Sequence, residues 1–148
     1  MAIFCRELGV DLRDAIRCAA TKPFGFQAFH PGPGAGGRCI PIDPVCLSCR
    51  VRALGCPFRF VELAQEINSR MPVYTADRAA EVLNSHGKPL KGARVLLFGV
   101  TYKADVADQR ESPVRMAGRR LRSRGAIVTY HDPYVREWRL TRKARHAV

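Results

Sequence analysis

The sequence predicts an α/β protein in which a helical first part is followed by a strand–helix–strand unit. Apolar residues recur at helical spacing through much of residues 1–87, as in helices that bury one face. Beyond residues 88–92, two apolar runs at 94–100 and 126–132 enclose a helical segment. Strands that alternate with helices are typical of a parallel sheet. With 148 residues, of which 47% are hydrophobic, the chain can bury a core.

Residues 1–22 are predicted to be helical, with an interruption at Gly9. Asp11 can cap the helix that follows, because an aspartate side chain accepts hydrogen bonds from the first free N–H groups. The helix should end at Lys22, since a residue before proline avoids helical dihedral angles. Residues 23–44, rich in proline and glycine, are then expected to form a long loop.

Three further helices are predicted after this loop. Residues 45–54 form a short amphipathic run that Gly55 and Pro57 terminate. Residues 58–71 have apolar positions on one helical face, and Pro72 fits the first turn of another helix at 73–85.

The second part begins with a strand at 94–100, whose continuous apolar run predicts burial on both faces of a sheet. Ser112 followed by Pro113 fits the N-cap and first turn of a helix that ends near Gly125. A second strand follows at 126–132. From residue 136 the pattern is lost, so we expect residues 136–148 to be a disordered basic tail.

A glycine-rich stretch precedes a cysteine and an aspartate within the long loop. Gly32, Gly34 and Gly37 match the dinucleotide-binding spacing G-x-G-x-x-G, but that site needs a strand before the glycines and a helix after them. Prolines and turn residues stand in both places, so we reject a dinucleotide site here. Three phenylalanines, at 24, 26 and 29, lie in the same loop and could pack beneath the glycines or flank the ring of a bound ligand. We expect packing for at least two of them.

The stretch PGPGAGGRCIPIDP at 31–44 resembles the active-site loop of the UDP-glucose/GDP-mannose dehydrogenase family. A second family motif follows in order, as GVTYK at 99–103 and DQRESP at 108–113. The loop is most similar to the branch that oxidises UDP-N-acetylhexosamines, and the resemblance extends over roughly residues 1–135.

The resemblance implies that the chain is a fragment of a longer NAD-dependent enzyme, without the N-terminal NAD-binding domain. It implies a helical central (dimerisation) domain at 1–87 with an active-site loop at 23–44, a linker at 88–92, and the start of a Rossmann-like UDP-binding domain at 93–135. The implied reaction is a four-electron oxidation of a UDP-sugar at C6 to the uronic acid. Two NAD accept the electrons, and family members are expected to be homodimers.

By resemblance, Cys39 is the catalytic nucleophile, which would form a thiohemiacetal and then a thioester, and Asp43 orients the hydrolytic water. Lys103 would contact the nucleotide-sugar, and Arg110 would reach the cofactor or a neighbouring domain. The remaining substrate-binding positions lie in the loop, at His30, Pro31, Gly32, Pro33, Gly34, Ala35 and Gly36.

Each of these assignments has a structural alternative. A lone cysteine can be a buried, inert residue, and an aspartate before proline can simply begin a turn. Arg110 can form an ion pair with a nearby carboxylate, at Asp105, Asp108 or Glu111.

The chain departs from the family pattern at three positions around the loop. Arg38 stands where this branch has histidine, and Cys46 and Cys49 stand where the family has tyrosine and a large residue such as tryptophan. The Cys46-x-x-Cys49 spacing also occurs in zinc knuckles, but a structural zinc site needs a second matched pair. We therefore predict no metal site.

Two functions are alternatives to the enzyme fragment, and the first follows from the charge balance. Lys and Arg total 25 against 13 acidic residues, for a net charge of +12 and a pI near 10.1. Such a pI can mark a nucleic-acid-binding module, but little aromatic interleaving accompanies the arginines, so nucleic-acid binding is not expected. A UDP-sugar-binding remnant without catalysis is the other alternative.

The sequence predicts a cytoplasmic protein with no membrane contact. Arg6 and Glu7 interrupt any apolar signal sequence, and the apolar run at 95–98 is too short to span a bilayer. The six cysteines are then expected to be reduced thiols.

Overall fold

The computed structural model describes residues 1–140, which belong to two compact units. The first unit is Met1–Gly32, and the second begins at Pro33. Within residues 1–140, no helix is both long enough and apolar enough to cross a membrane.

The first unit contains helices α1 (Ala2–Glu7) and α2 (Leu12–Ala19). The predicted cap is confirmed: the Asp11 carboxylate accepts hydrogen bonds from the backbone N–H groups of Arg13, at 2.8 Å, and Asp14. The expectation that at least two phenylalanines pack under the glycines is wrong, because Phe24 and Phe29 are 77% and 74% exposed. Apolar character alone does not bury a side chain on a loop that has little surface to cover it.

The second unit continues with helices α3 (Asp43–Ala53) and α4 (Arg59–Ser85). One polar cluster joins them: the buried Ser48 hydroxyl donates a 2.9 Å hydrogen bond to Glu62, and Arg52 forms an ion pair with the same carboxylate. These contacts, with Arg52 the larger cause and Ser48 the second, lower the pKa of Glu62.

Helix α4 is one continuous helix of 27 residues, so the predicted division at Pro72 is wrong. A proline inside a helix removes one backbone hydrogen bond and crowds the preceding turn. Pro72 is buried, and tertiary packing on both sides of it offsets that cost. The continuous helix extends from the loop at one end to the apolar core at the other.

The sheet has two parallel strands, β1 (Arg94–Phe98) and β2 (Ile127–His131), connected through α5 (Val114–Ser123). Arg94 pairs with Ile127 and Phe98 with His131 at the two ends of the register. One face of the sheet packs on α4 and α5 around a core that contains Ala76, Leu90, Leu121 and Ala126, with Val95, Leu97 and Val128 against it.

The other face of the sheet is open, so the prediction of two-sided burial is wrong for the described residues. Both strands alternate between exposed and half-buried residues. Phe98 is 82% exposed and Leu96 59%. The helices α4 and α5 cover one face of a parallel sheet whose apolar composition suits burial on both.

Helix α5 begins one residue later than predicted. Pro113 is its N-cap residue, where Ser112 was expected, and no side chain caps the helix. The Ser112 hydroxyl is buried and has no hydrogen-bond partner among residues 1–140. A Ser-Pro pair therefore marks the position of this helix start but not the capping contact.

Within residues 136–140, Leu140 is buried and Trp138 is half-buried, contrary to the expected disorder from residue 136. Leu140 is 7% exposed, and its carbonyl accepts a 2.6 Å hydrogen bond from Arg119 Nε. A Cβ placed on Gly118 would lie 2.7 Å from Leu140, so glycine allows this close contact. The rest of the expected tail, residues 141–148, lies outside the described residues.

The stretch 88–92, expected to be a linker, lies inside the second unit. Leu90 belongs to its apolar core. Helices α4 and α5 also meet through Asp77, whose carboxylate is 2.6 Å from Arg124 and 3.4 Å from Arg120. The helix before this stretch and the strand unit after it therefore share one core.

Candidate functional site

The glycine loop, here residues 33–37, lies against a second loop that follows β1, here called the strand-end loop (residues 99–113). A Cβ built on Gly36 would stand 2.6 Å from the Glu111 carbonyl oxygen and 2.7 Å from Tyr102 Cβ. Both are closer than real Cβ contacts, and a backbone carbonyl cannot swing away. Only glycine fits at this position.

Two further glycines combine close contact with a left-handed backbone. Gly34 has φ +123° and Gly37 has φ +84°, a region that residues with a side chain avoid. A Cβ on Gly37 would lie 2.9 Å from the Tyr102 ring. The glycines thus shape the loop and bring its backbone against Tyr102.

Helix α4 holds the loop from the other side through two polar side chains. The Asn68 amide forms two hydrogen bonds with one residue: it accepts from the Ala35 N–H at 2.7 Å and donates to the Ala35 carbonyl at 3.0 Å. One helical turn earlier, Gln65 Nε2 donates to the Ile40 carbonyl at 2.6 Å. Sequence reasoning did not identify either residue, because i, i+3 spacing of polar residues is common on exposed helix faces.

Cys39 lies in a tight turn between the glycine loop and α3. The Arg38 carbonyl closes this turn by accepting hydrogen bonds from the N–H groups of Ile42, at 2.9 Å, and Asp43, at 3.2 Å. The Cys39 side chain is exposed. Within residues 1–140, no hydrogen bond or ion pair involves its Sγ, and its exposure means that this thiol is not a buried cysteine.

Asp43 is the first residue of α3 and is exposed. A carboxylate in the first turn of a helix is favoured by the helix dipole, which gives this residue a structural role as well. Asp43 is four residues after Cys39 in the sequence, and its side chain is open to solvent.

Lys103 and Arg110 both lie in the strand-end loop. Lys103 is exposed. Arg110 is paired with Asp108, with 2.6 Å between Nη2 and Oδ2, so the ion-pair alternative is present. This side-chain contact is the largest cause that lowers the pKa of Asp108 to about 2. The Arg110 side chain is still 74% exposed and can contact a further anion.

Asp132, just after β2, fixes the start of the strand-end loop. Its carboxylate accepts a 2.8 Å hydrogen bond from the Val100 N–H and a 2.9 Å bond from the Tyr134 N–H. The Val100 contact is the largest cause that lowers the pKa of Asp132. Val100 is fully buried, so the loop leaves the sheet from a rigid point.

A cleft of about 730 Å³ opens beside the glycine loop, between α4 and the strand-end loop. Three arginines contribute to its wall, at positions 110, 115 and 119. Its other polar lining residues are Gln65, Asn68, Ser69, Gln109, Glu111 and Ser112.

The second unit thus contains most of the expected site: Pro33, Gly34, Ala35, Gly36, Cys39, Asp43, Lys103 and Arg110. The other three residues, His30, Pro31 and Gly32, belong to the first unit and are exposed. Cys46 and Cys49 are exposed on α3. In the described part of the chain, no group of three or more His, Cys, Asp or Glu residues is arranged to hold a metal.

Two family models match the chain. Residues 1–70 match the central domain of the UDP-glucose/GDP-mannose dehydrogenase family, and residues 96–148 match its UDP-binding domain. The second match includes the stretch from residue 136 that was expected to lie outside the domain.

Individual proteins agree with the family models. A UDP-N-acetyl-D-mannosamine dehydrogenase of Methanococcus maripaludis is 36% identical over 90% of this chain and 30% of its own length. A UDP-N-acetyl-D-glucosamine 6-dehydrogenase of Pseudomonas aeruginosa is 30% identical over 91% of this chain and 32% of its own length. The solved structure of a UDP-D-ManNAc dehydrogenase from Pyrococcus horikoshii superposes with a TM-score of 0.81 at 32% identity, over 91% of this chain and 31% of that one. The chain therefore spans about a third of the length of the relatives it matches.

Proposed function

Because this chain belongs to the UDP-glucose/GDP-mannose dehydrogenase family, we propose that it carries the reactive thiol and the substrate side of a UDP-N-acetylhexosamine 6-dehydrogenase. The proposed overall reaction is the four-electron oxidation of C6 to a carboxylate, in a complete enzyme that is a homodimer. The named relatives act on UDP-N-acetylmannosamine or UDP-N-acetylglucosamine, and we propose a UDP-N-acetylhexosamine as the substrate class.

The observation that carries this proposal is the contact between the glycine loop and the strand-end loop. Gly36 lies directly against Glu111 and Tyr102, although more than sixty residues separate them in the chain. The glycine loop, which leads to Cys39, and the strand-end loop, which carries Lys103 and Arg110, therefore belong to one packed unit. A nucleotide-sugar bound at the end of β1 can extend its sugar towards the thiol, as ligands in open α/β sheets bind beyond the carboxyl ends of the strands.

Cys39 is proposed to act as the nucleophile towards the C6 aldehyde. Its Sγ forms a bond to C6 while the carbonyl oxygen takes up a proton, which gives a thiohemiacetal. Oxidation of this adduct to the C6 thioester would release a hydride to NAD and a proton. Water then adds to the thioester, and the Cys39 thiolate leaves as the acid forms. Asp43, exposed four residues later, is proposed to orient that water.

Lys103 is proposed to meet the negative charge of the nucleotide-sugar, and Arg110 that of the cofactor or of a group on a neighbouring domain. An exposed lysine provides a point charge for a diphosphate, and the planar guanidinium of arginine provides two parallel donors. The Asp108 partner holds one edge of the Arg110 guanidinium, which orients the group before a ligand binds.

NAD would accept the electrons in this reaction, but the glycine loop does not have the surroundings of a dinucleotide site. The glycines of residues 33–37 are not preceded by a strand, and a turn separates them from α3, so no helix N-terminus meets a pyrophosphate there. The hydride-transfer steps are therefore not assigned to residues of this chain.

The test is to join the chain to the N-terminal part of a relative. The NAD-binding domain and central helix of the Pyrococcus horikoshii enzyme, fused before Met1, should give NADH formation with a UDP-N-acetylhexosamine. In that fusion Cys39→Ser should abolish conversion to the uronic acid, whereas Cys46→Ser, on an exposed cysteine of α3, should keep it. A folded fusion that is inactive with every UDP-N-acetylhexosamine would overturn the proposal.

One observation favours a second candidate, a UDP-sugar-binding module without catalysis. Within residues 1–140 the exposed Cys39 Sγ forms no hydrogen bond or ion pair, so no base among the described residues activates the thiol. Calorimetric titration of the chain with UDP, alone and after Lys103→Ala, separates the two candidates when it is combined with the fusion. Binding that depends on Lys103, together with an inactive fusion, supports the module.

A further inference from the structure

We propose that Asn68 of α4 is the positioning residue of residues 33–40, the segment that contains the glycine loop and Cys39, with Gln65 as a second, weaker contact. Neither residue belongs to the motifs that identified the family. The role follows from three side-chain hydrogen bonds between one face of α4 and the loop on either side of Gly36 and Gly37.

The Asn68 contact fixes a backbone segment and not merely a point. Its amide oxygen and nitrogen bind the N–H and the C=O of the same residue, Ala35, at 2.7 and 3.0 Å. Two bonds to one residue restrain rotation as well as distance. Ala35 is exposed, and the loop between Pro33 and Gly37 has no regular structure, so these bonds replace those that a strand or helix would provide.

Pro72 leaves the backbone carbonyl of Asn68 without its helical hydrogen bond, next to the side chain that binds Ala35. Pro72 has no N–H to donate to the carbonyl four residues earlier, which is that of Asn68. A Cβ on Gly34 would lie 3.2 Å from this carbonyl oxygen and 3.3 Å from the Asn68 side-chain oxygen. The loop thus passes over the helix where the backbone ladder is interrupted, and glycine permits the approach.

Gln65 holds the far side of the loop, one helical turn away. It donates to the Ile40 carbonyl at 2.6 Å, one residue beyond Cys39. The two contacts, at Ala35 and Ile40, enclose the cysteine along the chain. The reactive thiol is therefore exposed but is held between two fixed backbone positions.

A direct test measures amide hydrogen exchange in the 148-residue chain by NMR. Asn68→Leu keeps the branched shape of the side chain but removes both bonds, and Asn68→Asp keeps an acceptor for the Ala35 N–H. The Ala35 amide should exchange about tenfold faster in the Leu variant, as one lost hydrogen bond implies. The Asp variant should lie between this and the unchanged protein. Asn84→Leu, an exposed position near the other end of α4, is the matched control and should leave Ala35 unchanged.

Core amides distinguish positioning from general destabilisation. The N–H of Ala126, which donates to the Leu121 carbonyl, should keep its exchange rate in all three variants. If Ala35 exchanges equally fast with and without Asn68, or if Ala35 and Ala126 accelerate by the same factor, the proposal is wrong. This measurement does not depend on the proposed function.

A kinetic measurement rests on the proposed function and uses the active fusion described above. Asn68→Leu should lower kcat about tenfold or more, because a small displacement of a reacting group slows the chemistry steeply. The KM for the UDP-sugar should change less than twofold, since Asn68 is not proposed to bind it. An unchanged kcat would overturn the positioning role even if the loop is loosened, while an inactive fusion contradicts only the proposed function.

Discussion

The two halves of α4 differ in what they hold and in the forces they use. The first half, before Pro72, binds the glycine loop through the polar side chains of Gln65 and Asn68. The second half packs Ala76, with Ala79, Ala80 and Leu83, into the apolar core under the sheet. One helix therefore carries both the candidate site and part of the core, on opposite sides of a proline.

The difference suggests that the site can be damaged without loss of the fold. Each hydrogen bond to the loop is worth about 0.5–1.5 kcal/mol, whereas a buried core leucine contributes several times that amount. Substitutions in the apolar core beside the second half should destabilise the second unit most, and changes around the first half should mainly loosen the loop. Four predictions test this contrast.

The largest effect is expected in the core. Leu121→Ala, at a side chain that is 3% exposed, should lower the free energy of unfolding by about 2–5 kcal/mol because it leaves a cavity. Urea denaturation monitored by circular dichroism measures this change in the free energy of unfolding. Leu54→Ala, at a side chain that is 81% exposed, is the control and should change stability by less than about 0.5 kcal/mol. Equal effects of the two substitutions would contradict the assigned core.

A smaller effect is expected at the loop. Gly36→Ala places a methyl group 2.6 Å from the Glu111 carbonyl and should cost about 1–3 kcal/mol through overpacking. Gly32→Ala, where no atom lies within 4 Å of the added Cβ, should be nearly neutral. The rate of Cys39 alkylation, measured by peptide mass spectrometry, should change in the Gly36 variant only. Identical behaviour of both variants would mean that the two loops are not in contact.

The ion pairs between α4 and α5 should contribute less to the free energy of unfolding. Asp77→Asn removes contacts to Arg124 and Arg120, whose side chains are 41% and 45% exposed, so we expect a loss of about 0.5 kcal/mol that shrinks in 1 M salt. Glu66→Gln removes an outer pair with Arg70 at 3.8 Å and should have no measurable effect. A larger loss for Glu66 than for Asp77 would refute this ranking.

The smallest effect concerns Asp108 in the strand-end loop. Its pKa is lowered from 3.8 to about 2, mainly by the Arg110 side chain. A lowered folded pKa means that the pair stabilises the fold above pH 3.8 and that this contribution disappears as the pH falls towards 2. Carboxyl NMR titration should show the Asp108 pKa rising towards 3.8 in Arg110→Gln. A pKa that stays near 2 would show that Arg110 is not its cause.

The helix and strand positions followed largely from sequence periodicity, but three details did not. Pro72 predicted a helix boundary, and packing on both sides kept one helix. The apolar β1 predicted two-sided burial, and the described residues cover only one face. Residues 136–140 lack a pattern, yet Leu140 is buried where Gly118 leaves room. At Pro72 and Leu140 contacts distant in the sequence outweighed a local preference, whereas at β1 the second covering layer is absent from the described residues.

The sequence by itself determined the family, the glycine loop and the order of the two motifs, because glycine, proline and cysteine at fixed spacing carry local chemical meaning. Only the tertiary structure decided that Gly36 lies against Glu111, that Arg110 is paired with Asp108, and that Asn68 and Gln65 hold the loop. Asparagine and glutamine on a helix have no distinctive local signature, since their effect depends on which backbone groups the fold brings within hydrogen-bonding distance.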